Sequence, residues 1–128
     1  MFELTINGQV YAFHFGMGFM REVNKRVGRP VDGLPNVKKN VGLRWLIAGV
    51  MDGDVEDLVD LLDTANKGQN PRVTKNLLDE YIDKECEDID KLFDDVLGFL
   101  KTANATKKTV EALLAEMEAQ KANQTQTQ

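Results

Sequence analysis

The first fifteen residues alternate between hydrophobic and polar side chains, which is the pattern of a β-hairpin rather than of a helix. Asn7-Gly8 divides this stretch, and the dipeptide favours the two positive φ values of a type I′ turn. With these residues as the loop, Phe2 faces Phe13 across the two strands. One face then carries Phe2, Leu4, Ile6, Tyr11, Phe13 and Phe15, and the other carries Glu3, Thr5, Val10, Ala12 and His14. An isolated hairpin is marginal in water, so we expect helices or another chain to cover the apolar face.

After residue 16 the apolar spacing changes to that of helices. A short first helix is predicted to carry Phe19, Met20, Val23 and Val27 on one face, and Gly28 followed by Arg29-Pro30 is a stop signal. Residues 31–35, which contain Gly and Pro, are interpreted as a loop. A second helix is predicted from about Asn36 to Met51, with Val37, Val41, Trp45, Ala48 and Met51 along one stripe. Its C-terminal half is apolar nearly all round, which is typical of a helix buried in the middle of a domain.

The rest of the chain predicts further helices. Asp54 is placed to cap a third helix that ends at Lys67-Gly68, and Pro71 and Thr74 open a fourth. A fifth helix carries Ile89, Leu92, Phe93, Val96, Leu97 and Leu100. Whether a break near residues 85–87 separates the fourth helix from the fifth stays open.

Residues 102–106 are predicted to form a short connection, after which Thr106 or Thr109 caps a last helix. The polar residues 122–128 are predicted to be disordered, because they have nothing to bury. The expected fold is therefore mainly α, a single domain over residues 1–121 with a hairpin at 2–15. About five to six helices follow it over residues 17–121.

Composition fits one small intracellular domain. The chain has 128 residues, a mass of 14.4 kDa and 42% hydrophobic residues, which suffices for a core without covalent links. Its single cysteine, Cys86, excludes an internal disulfide and a cysteine-based metal cluster. No signal-peptide pattern precedes the first strand, and the apolar run 41–51 is too short to span a bilayer. We expect a cytoplasmic protein without a membrane partner.

The net charge of −5 is unevenly distributed. Residues 1–51 contain seven Lys/Arg and three Asp/Glu, whereas residues 52–95 contain five and fifteen. An acidic middle argues against nucleic acid as a partner, since phosphate binding needs a basic face. It is interpreted either as solvated helix faces or as a surface that meets a basic partner.

No group of residues has the pattern of a catalytic, cofactor or metal site. His14 is the only histidine and is expected on the polar side of a strand, while Cys86 lies among carboxylates that do not favour a thiolate. Residues 52–57 have the carboxylate density of a calcium loop but lack its glycine and its final glutamate, and helix capping explains them better. We therefore expect no enzyme, no cofactor and no bound metal, and the partner-binding residues stay unknown.

Two stretches of the chain resemble a known family. Leu4–Tyr11 followed by Phe15–Gly28, and later Leu92–Lys101 followed by Ala105–Val110, are similar to the tail assembly chaperones of siphophages that infect Gram-positive bacteria. The similar stretches follow the order of the family and extend to about Met117. Residues 30–80 resemble the family only in the general character of their residues. These motifs are structural, so they indicate the family rather than individual functional residues.

The resemblance implies a non-enzymatic protein that coats the tape measure protein and keeps it soluble until the tail tube polymerises around it. It implies several copies, and a longer product of ribosomal frameshifting that recruits the major tail protein. It also implies a place in the cytoplasm of an infected or lysogenic bacterium, and absence from the mature virion.

The residues themselves leave alternatives open. The apolar stripes 41–51 and 92–100 exceed what a small bundle obviously needs, so each is either core or a groove for a partner helix. The basic front and acidic middle predict that neighbouring copies dock front to middle, which gives rings or open spirals. The alternative function is an acidic adaptor or regulator that binds a basic partner through residues 52–95.

Overall fold

The computed structural model describes residues 1–26, 28–31 and 33–126. Its elements in chain order are β1 Phe2–Ile6, β2 Gln9–Phe13, α1 Met17–Asn24, β3 Gly28–Val31, β4 Leu34–Asn40, α2 Gly42–Met51, α3 Val55–Asn66, α4 Lys75–Glu80, a π-helical segment Tyr81–Glu85, α5 Ile89–Thr102 and α6 Lys107–Gln126. The described part of the chain is therefore mainly helical and begins with an antiparallel two-stranded hairpin, as the sequence predicts.

The N-terminal hairpin has the predicted register. Phe2 pairs with Phe13 and Leu4 with Tyr11, and the loop residues Asn7 and Gly8 have φ values of +52° and +80°. Five of the six residues on its apolar face are buried, and Leu4 packs against the core from a half-buried position. Helix α3 contacts strand β2, so a helix covers this face.

A second hairpin replaces the loop predicted at 31–35 and the first part of the helix predicted from Asn36. Strands β3 and β4 pair antiparallel, with Val31 opposite Leu34 and Gly33 at φ +79°. Asp32-Gly33 between two apolar residues is itself a hairpin signal, and Pro35 and the two asparagines of β4 are poor helix formers. The predicted helix was therefore too long, and α2 begins only at Gly42. The predicted first-helix residue Val27 lies outside the described residues.

The core is centred on α3, with α2 against it. Leu58, Leu61 and Leu62 of α3 have no exposed surface, and α3 contacts α1, α2, α4 and β2. The inner side of α2 contributes Leu43, Leu46, Ile47 and Val50. Their spacing of three, four and seven residues defines one helix face. The apolar C-terminal half of α2 is typical of a helix in the middle of a domain, whereas α3 holds the central position.

A buried asparagine joins three segments around α3. The Asn66 side chain has no exposed surface, and its Nδ2 donates hydrogen bonds to the carbonyl oxygens of Ala12 at 2.9 Å and Pro71 at 3.3 Å. Its Oδ1 accepts from the backbone N–H of Val73 at 2.6 Å and from Arg72 at 3.0 Å. The hairpin, α3 and the segment before α4 are thus held together through one amide.

Caps define several helix ends. Asp54 accepts the backbone N–H of Asp57 at 3.0 Å, as predicted, and Thr74 accepts that of Leu77 at 3.1 Å. Thr106 stands before α6 as predicted, but its hydroxyl donates to the carbonyl oxygen of Leu100 at 2.6 Å. Its side chain therefore secures the end of α5 instead of capping α6.

In the C-terminal half, the structure shows where the predicted fourth and fifth helices separate and how far the last helix extends. Residues 86–88 separate the π-helical segment from α5, so a break does divide the predicted fourth and fifth helices. Helix α6 extends to Gln126, so residues 122–126 are helical where the sequence predicts disorder. Residues 127–128 lie outside the described residues.

Candidate interaction surfaces

Large apolar side chains that stay exposed mark the places where a partner can bind. Among the described residues these are Met1, Val10, Met17, Trp45, Val55, Phe99, Leu114 and Met117. Single exposed apolar residues are normal on a protein surface, whereas clusters indicate interaction sites. Four of these eight residues lie on two surfaces that share no residue, with Trp45 on one and Met1, Met17 and Phe99 on the other.

The first cluster is the Trp45 surface, formed by Val41, Arg44, Trp45, Ala48, Leu113 and Glu116. These residues come from α2, the residue before it, and α6, and they line a depression of about 350 Å³. Arg44 and Glu116 form an ion pair that joins the two helices. The Trp45 side chain is 66% exposed, because it lies off the α2 face that packs on α3.

Carboxylates flank Trp45 on its other side. Trp45 also borders a depression that Arg26, Asp57 and Asp60 line. Burial, and then the neighbouring carboxylates beginning with Asp54, raise the pKa of Asp57 above its ordinary value. Asp60 pairs with Lys75 at 2.7 Å, whereas Asp57 has no ion pair among the residues whose side chains are described. Because Arg26 and Arg44 also line these depressions, the surroundings of Trp45 carry charges of both signs.

The second cluster is the hairpin groove, a cavity of about 510 Å³ beside the N-terminal hairpin. Its lining consists of Met1, Phe2, Phe13, His14, Phe15, Gly16, Met17, Phe99 and residues 102–105. The rings of Phe2 and Phe99 meet edge to face with centroids 5.1 Å apart. No carboxylate side chain is among the lining residues, so the groove is apolar without an acidic rim of its own.

The remaining predicted candidates do not assemble a reactive site. His14 is exposed and borders a shallow depression with Glu22 and Lys67, and these two residues pair with each other at 2.9 Å. Cys86 is half-buried. Across the described residues, no three His, Cys, Asp or Glu side chains are grouped as metal ligands. In the same part of the chain, no helix is both long and apolar enough to cross a membrane.

Some carboxylates of the acidic middle of the chain, residues 52–95, form ion pairs with lysine and arginine side chains of the same segment. Asp63 pairs with Arg72 at 3.0 Å, Asp60 with Lys75 at 2.7 Å, and Lys91 with Asp95 at 3.1 Å. The predicted acidic surface over residues 52–95 is thus distributed over several helices, with part of its charge already paired. This arrangement matches solvated helix faces, one of the two interpretations of the sequence.

Comparison with known proteins identifies the family. The family model described as "Phage tail assembly chaperone protein, TAC" matches residues 3–114 of the 128-residue chain. The chain belongs to this family of phage tail assembly chaperones. The matched region covers both surfaces apart from Met1, Phe2 and Glu116. No curated protein and no solved structure matches the chain.

The sequence identified no partner-binding residue for this tail assembly chaperone, and it left open whether the stripe that contains Trp45 is core or a groove. A signal for Trp45 was nevertheless present. Leu43, Leu46 and Val50 recur at helical spacing, and Trp45 falls outside that series. The groove gave no comparable signal, because its walls come from segments almost a hundred residues apart.

Proposed function

We propose that this tail assembly chaperone binds the tape measure protein and keeps it soluble until the tail tube polymerises around it. The family assignment supports this role, as do the two exposed apolar surfaces. In this proposal several copies act together in the cytoplasm of the bacterial host. A longer frameshift product recruits the major tail protein, and neither product stays in the mature virion.

The observation that carries the proposal is an apolar stripe on α6 that continues beyond the core. Val110 and Leu113 of this stripe are 1% and 7% exposed, whereas Leu114 and Met117 are 36% and 38% exposed. Residues 114–122 are all exposed. A partner helix can therefore pack along the same stripe at the helical spacing that helix-in-groove recognition uses. Such a surface suits a long, largely helical partner.

Co-expression with the tape measure protein tests this function. We expect the wild-type chaperone to raise the soluble fraction of the tape measure protein and to purify with it. The double variant Leu114→Gln/Met117→Gln should lose most of this capture while keeping its melting temperature, because both side chains are exposed. Val10→Thr, which changes an exposed residue of the hairpin, is the matched control.

Two results would contradict the proposal. One is a tape measure protein that stays insoluble with the wild-type chaperone. The other is a double variant that captures it as well as the Val10→Thr control does.

The alternative role, an acidic adaptor acting through residues 52–95, has less support. Three carboxylates of that segment, Asp60, Asp63 and Asp95, already pair with cations of the same segment. A basic partner that used these three carboxylates would have to displace the intramolecular pairs.

A further inference from the structure

The loop of the N-terminal hairpin contains a reactive pair of residues that its role as a turn does not use. Asn7 is the one asparagine of the chain that is followed directly by a glycine. In such a pair the backbone nitrogen of the glycine can attack the side-chain amide of the asparagine, because a residue without a Cβ atom permits a close approach. This reaction is deamidation, and it needs neither an enzyme nor a cofactor.

The structure leaves the attacking nitrogen accessible. Asn7 and Gly8 are both exposed, and they form a two-residue loop beyond the terminal pair Ile6 and Gln9. A Cβ atom at Gly8 would meet nothing within 4 Å, so the space around the loop is open. Among the described residues, no carbonyl oxygen accepts a hydrogen bond from the N–H of Gly8. Neither burial nor hydrogen bonding therefore withdraws this nitrogen from reaction.

Two other asparagines show why Asn7 stands apart. Asn104 is also exposed, but it is followed by Ala105, whose methyl group hinders the attack. Asn66 is fully buried, and both ends of its amide are hydrogen-bonded. Asn7 combines exposure with a following glycine, and neither of the other two does.

We propose that Asn7 is a site of spontaneous deamidation. The Gly8 nitrogen forms a bond to Cγ of Asn7, and the bond between Cγ and the side-chain nitrogen breaks. The Gly8 nitrogen gives up its proton, and the side-chain nitrogen leaves as ammonia. A water molecule from the solvent then opens the succinimide ring that has formed. Opening at Cγ gives aspartate, whereas opening at the backbone carbonyl gives isoaspartate, in which the main chain runs through the former side chain.

This site lies where the hairpin contacts the π-helical segment. The backbone N–H of Asn7 donates a hydrogen bond to the carboxylate of Glu85 at 2.8 Å. Both products add a negative charge to residue 7, and like charges at short range repel each other. Isoaspartate also lengthens the loop by one main-chain carbon, which does not fit a tight turn with φ values of +52° and +80°. Isoaspartate should therefore destabilise the hairpin more than aspartate does.

Peptide mapping of the aged protein tests the site. The full chain is incubated in mildly alkaline buffer and digested with trypsin, and the mass of each peptide is followed over time. Asn7 lies in the tryptic peptide Met1–Arg21, and Asn104 lies in Thr102–Lys107. The first peptide should gain the mass difference between a hydroxyl and an amino group and should split into an aspartate and an isoaspartate form. The second should react more slowly by about tenfold or more, a ratio that about 1.4 kcal/mol of barrier produces.

Two variants provide the controls. Asn7→Gly removes the reactive amide and keeps a dipeptide that suits a type I′ turn, so its first peptide should keep its mass and its melting temperature should not change with age. Freshly purified Asn7→Asp adds the charge without lengthening the main chain. Its melting temperature should lie between those of fresh wild-type protein and of wild-type protein rich in isoaspartate. Thermal melts by circular dichroism measure all of these samples.

Three results would overturn the inference. One is a first peptide that keeps its mass throughout, and another is modification at equal rates at Asn7 and Asn104. The third is a wild-type sample that contains isoaspartate at residue 7 and melts like fresh protein. None of these measurements involves the tape measure protein, so their outcome is independent of the proposed function.

Discussion

The N-terminal hairpin and helix α2 are both rich in large apolar residues and both contribute to the core, yet an aromatic ring of the first is buried and the aromatic ring of the second is exposed. Phe13 of the hairpin has no exposed surface, whereas Trp45 of α2 is 66% exposed. A strand has two faces, so an alternating pattern decides which side is buried. In a helix that is apolar nearly all round, the hydrophobic pattern does not single out a buried face. The packing of neighbouring elements then determines which face is exposed to solvent. Hydrophobicity alone therefore does not separate core from surface in α2.

The largest effect should come from the buried side of the hairpin. Phe13→Ala removes a fully buried ring, so we expect the free energy of unfolding to fall by about 3–5 kcal/mol. Chemical denaturation measures this loss. Val10→Thr, on the outer face of the same strand, should change stability by less than about 0.5 kcal/mol. A loss below about 1 kcal/mol for Phe13→Ala would show that the ring does not carry the core.

The next effect concerns the start of α2, where the helix lies close to α1. A Cβ atom at Gly42 would lie 1.9 Å from the carbonyl oxygen of Val23, so Gly42→Ala should cost about 1–3 kcal/mol through overpacking. Gly98 in α5 is the matched control, because a Cβ there meets nothing within 4 Å. Gly98→Ala should stabilise the chain by up to about 1 kcal/mol. Equal effects of the two substitutions would contradict the close packing of α1 and α2.

A smaller, pH-dependent effect is expected at Asp57, whose side chain packs over Gly49 of α2. Burial and neighbouring carboxylates raise its folded-state pKa above the ordinary value of 3.8, so ionised Asp57 opposes folding near neutral pH. Asp57→Asn should therefore raise the melting temperature slightly at pH 7. The gain should fade as the pH drops through the folded-state pKa, since the wild-type carboxyl is then protonated.

Melting curves of the two proteins between pH 3 and pH 7 measure this difference. Glu56→Gln is a control on the same turn of α3. A gain at Asp57→Asn that is the same at every pH would contradict the electrostatic explanation.

The smallest effect on stability should come from the exposed side of α2. Trp45→Ala should change the free energy of unfolding by no more than about 0.5 kcal/mol, because most of the ring lies in solvent. Dilute samples, in which copies do not associate, are needed for this measurement. A loss as large as that of Phe13→Ala would mean that Trp45 belongs to the core and would remove the contrast between the two regions.

The register of the N-terminal hairpin was predictable to the residue because Asn7-Gly8 fixed the loop, although the second strand ends at Phe13 and not at residue 15. The second hairpin was missed because β4 contains one β-branched residue among lysines and asparagines, which gives no alternation. The helical spacing of the buried residues in α2 excluded Trp45, but the sequence located neither surface as a whole. Exposure of Trp45 depends on where α6 and α3 lie beside α2, and the groove exists only when the start of the chain meets the end of α5.

The hydrogen bonds of Asn66 couple the local opening of the N-terminal hairpin to that of the segment before α4. Its amide bonds the carbonyl of Ala12 and the N–H of Val73 at once, and the N–H of His14 donates to Ala65 at 2.8 Å. The hairpin cannot separate from α3 unless this buried amide loses partners on two sides. Hydrogen exchange at His14 and Val73 should therefore proceed through the same rare opening event. We therefore expect the two ends of this network to open as one cooperative unit, although 58 intervening residues separate them in the sequence.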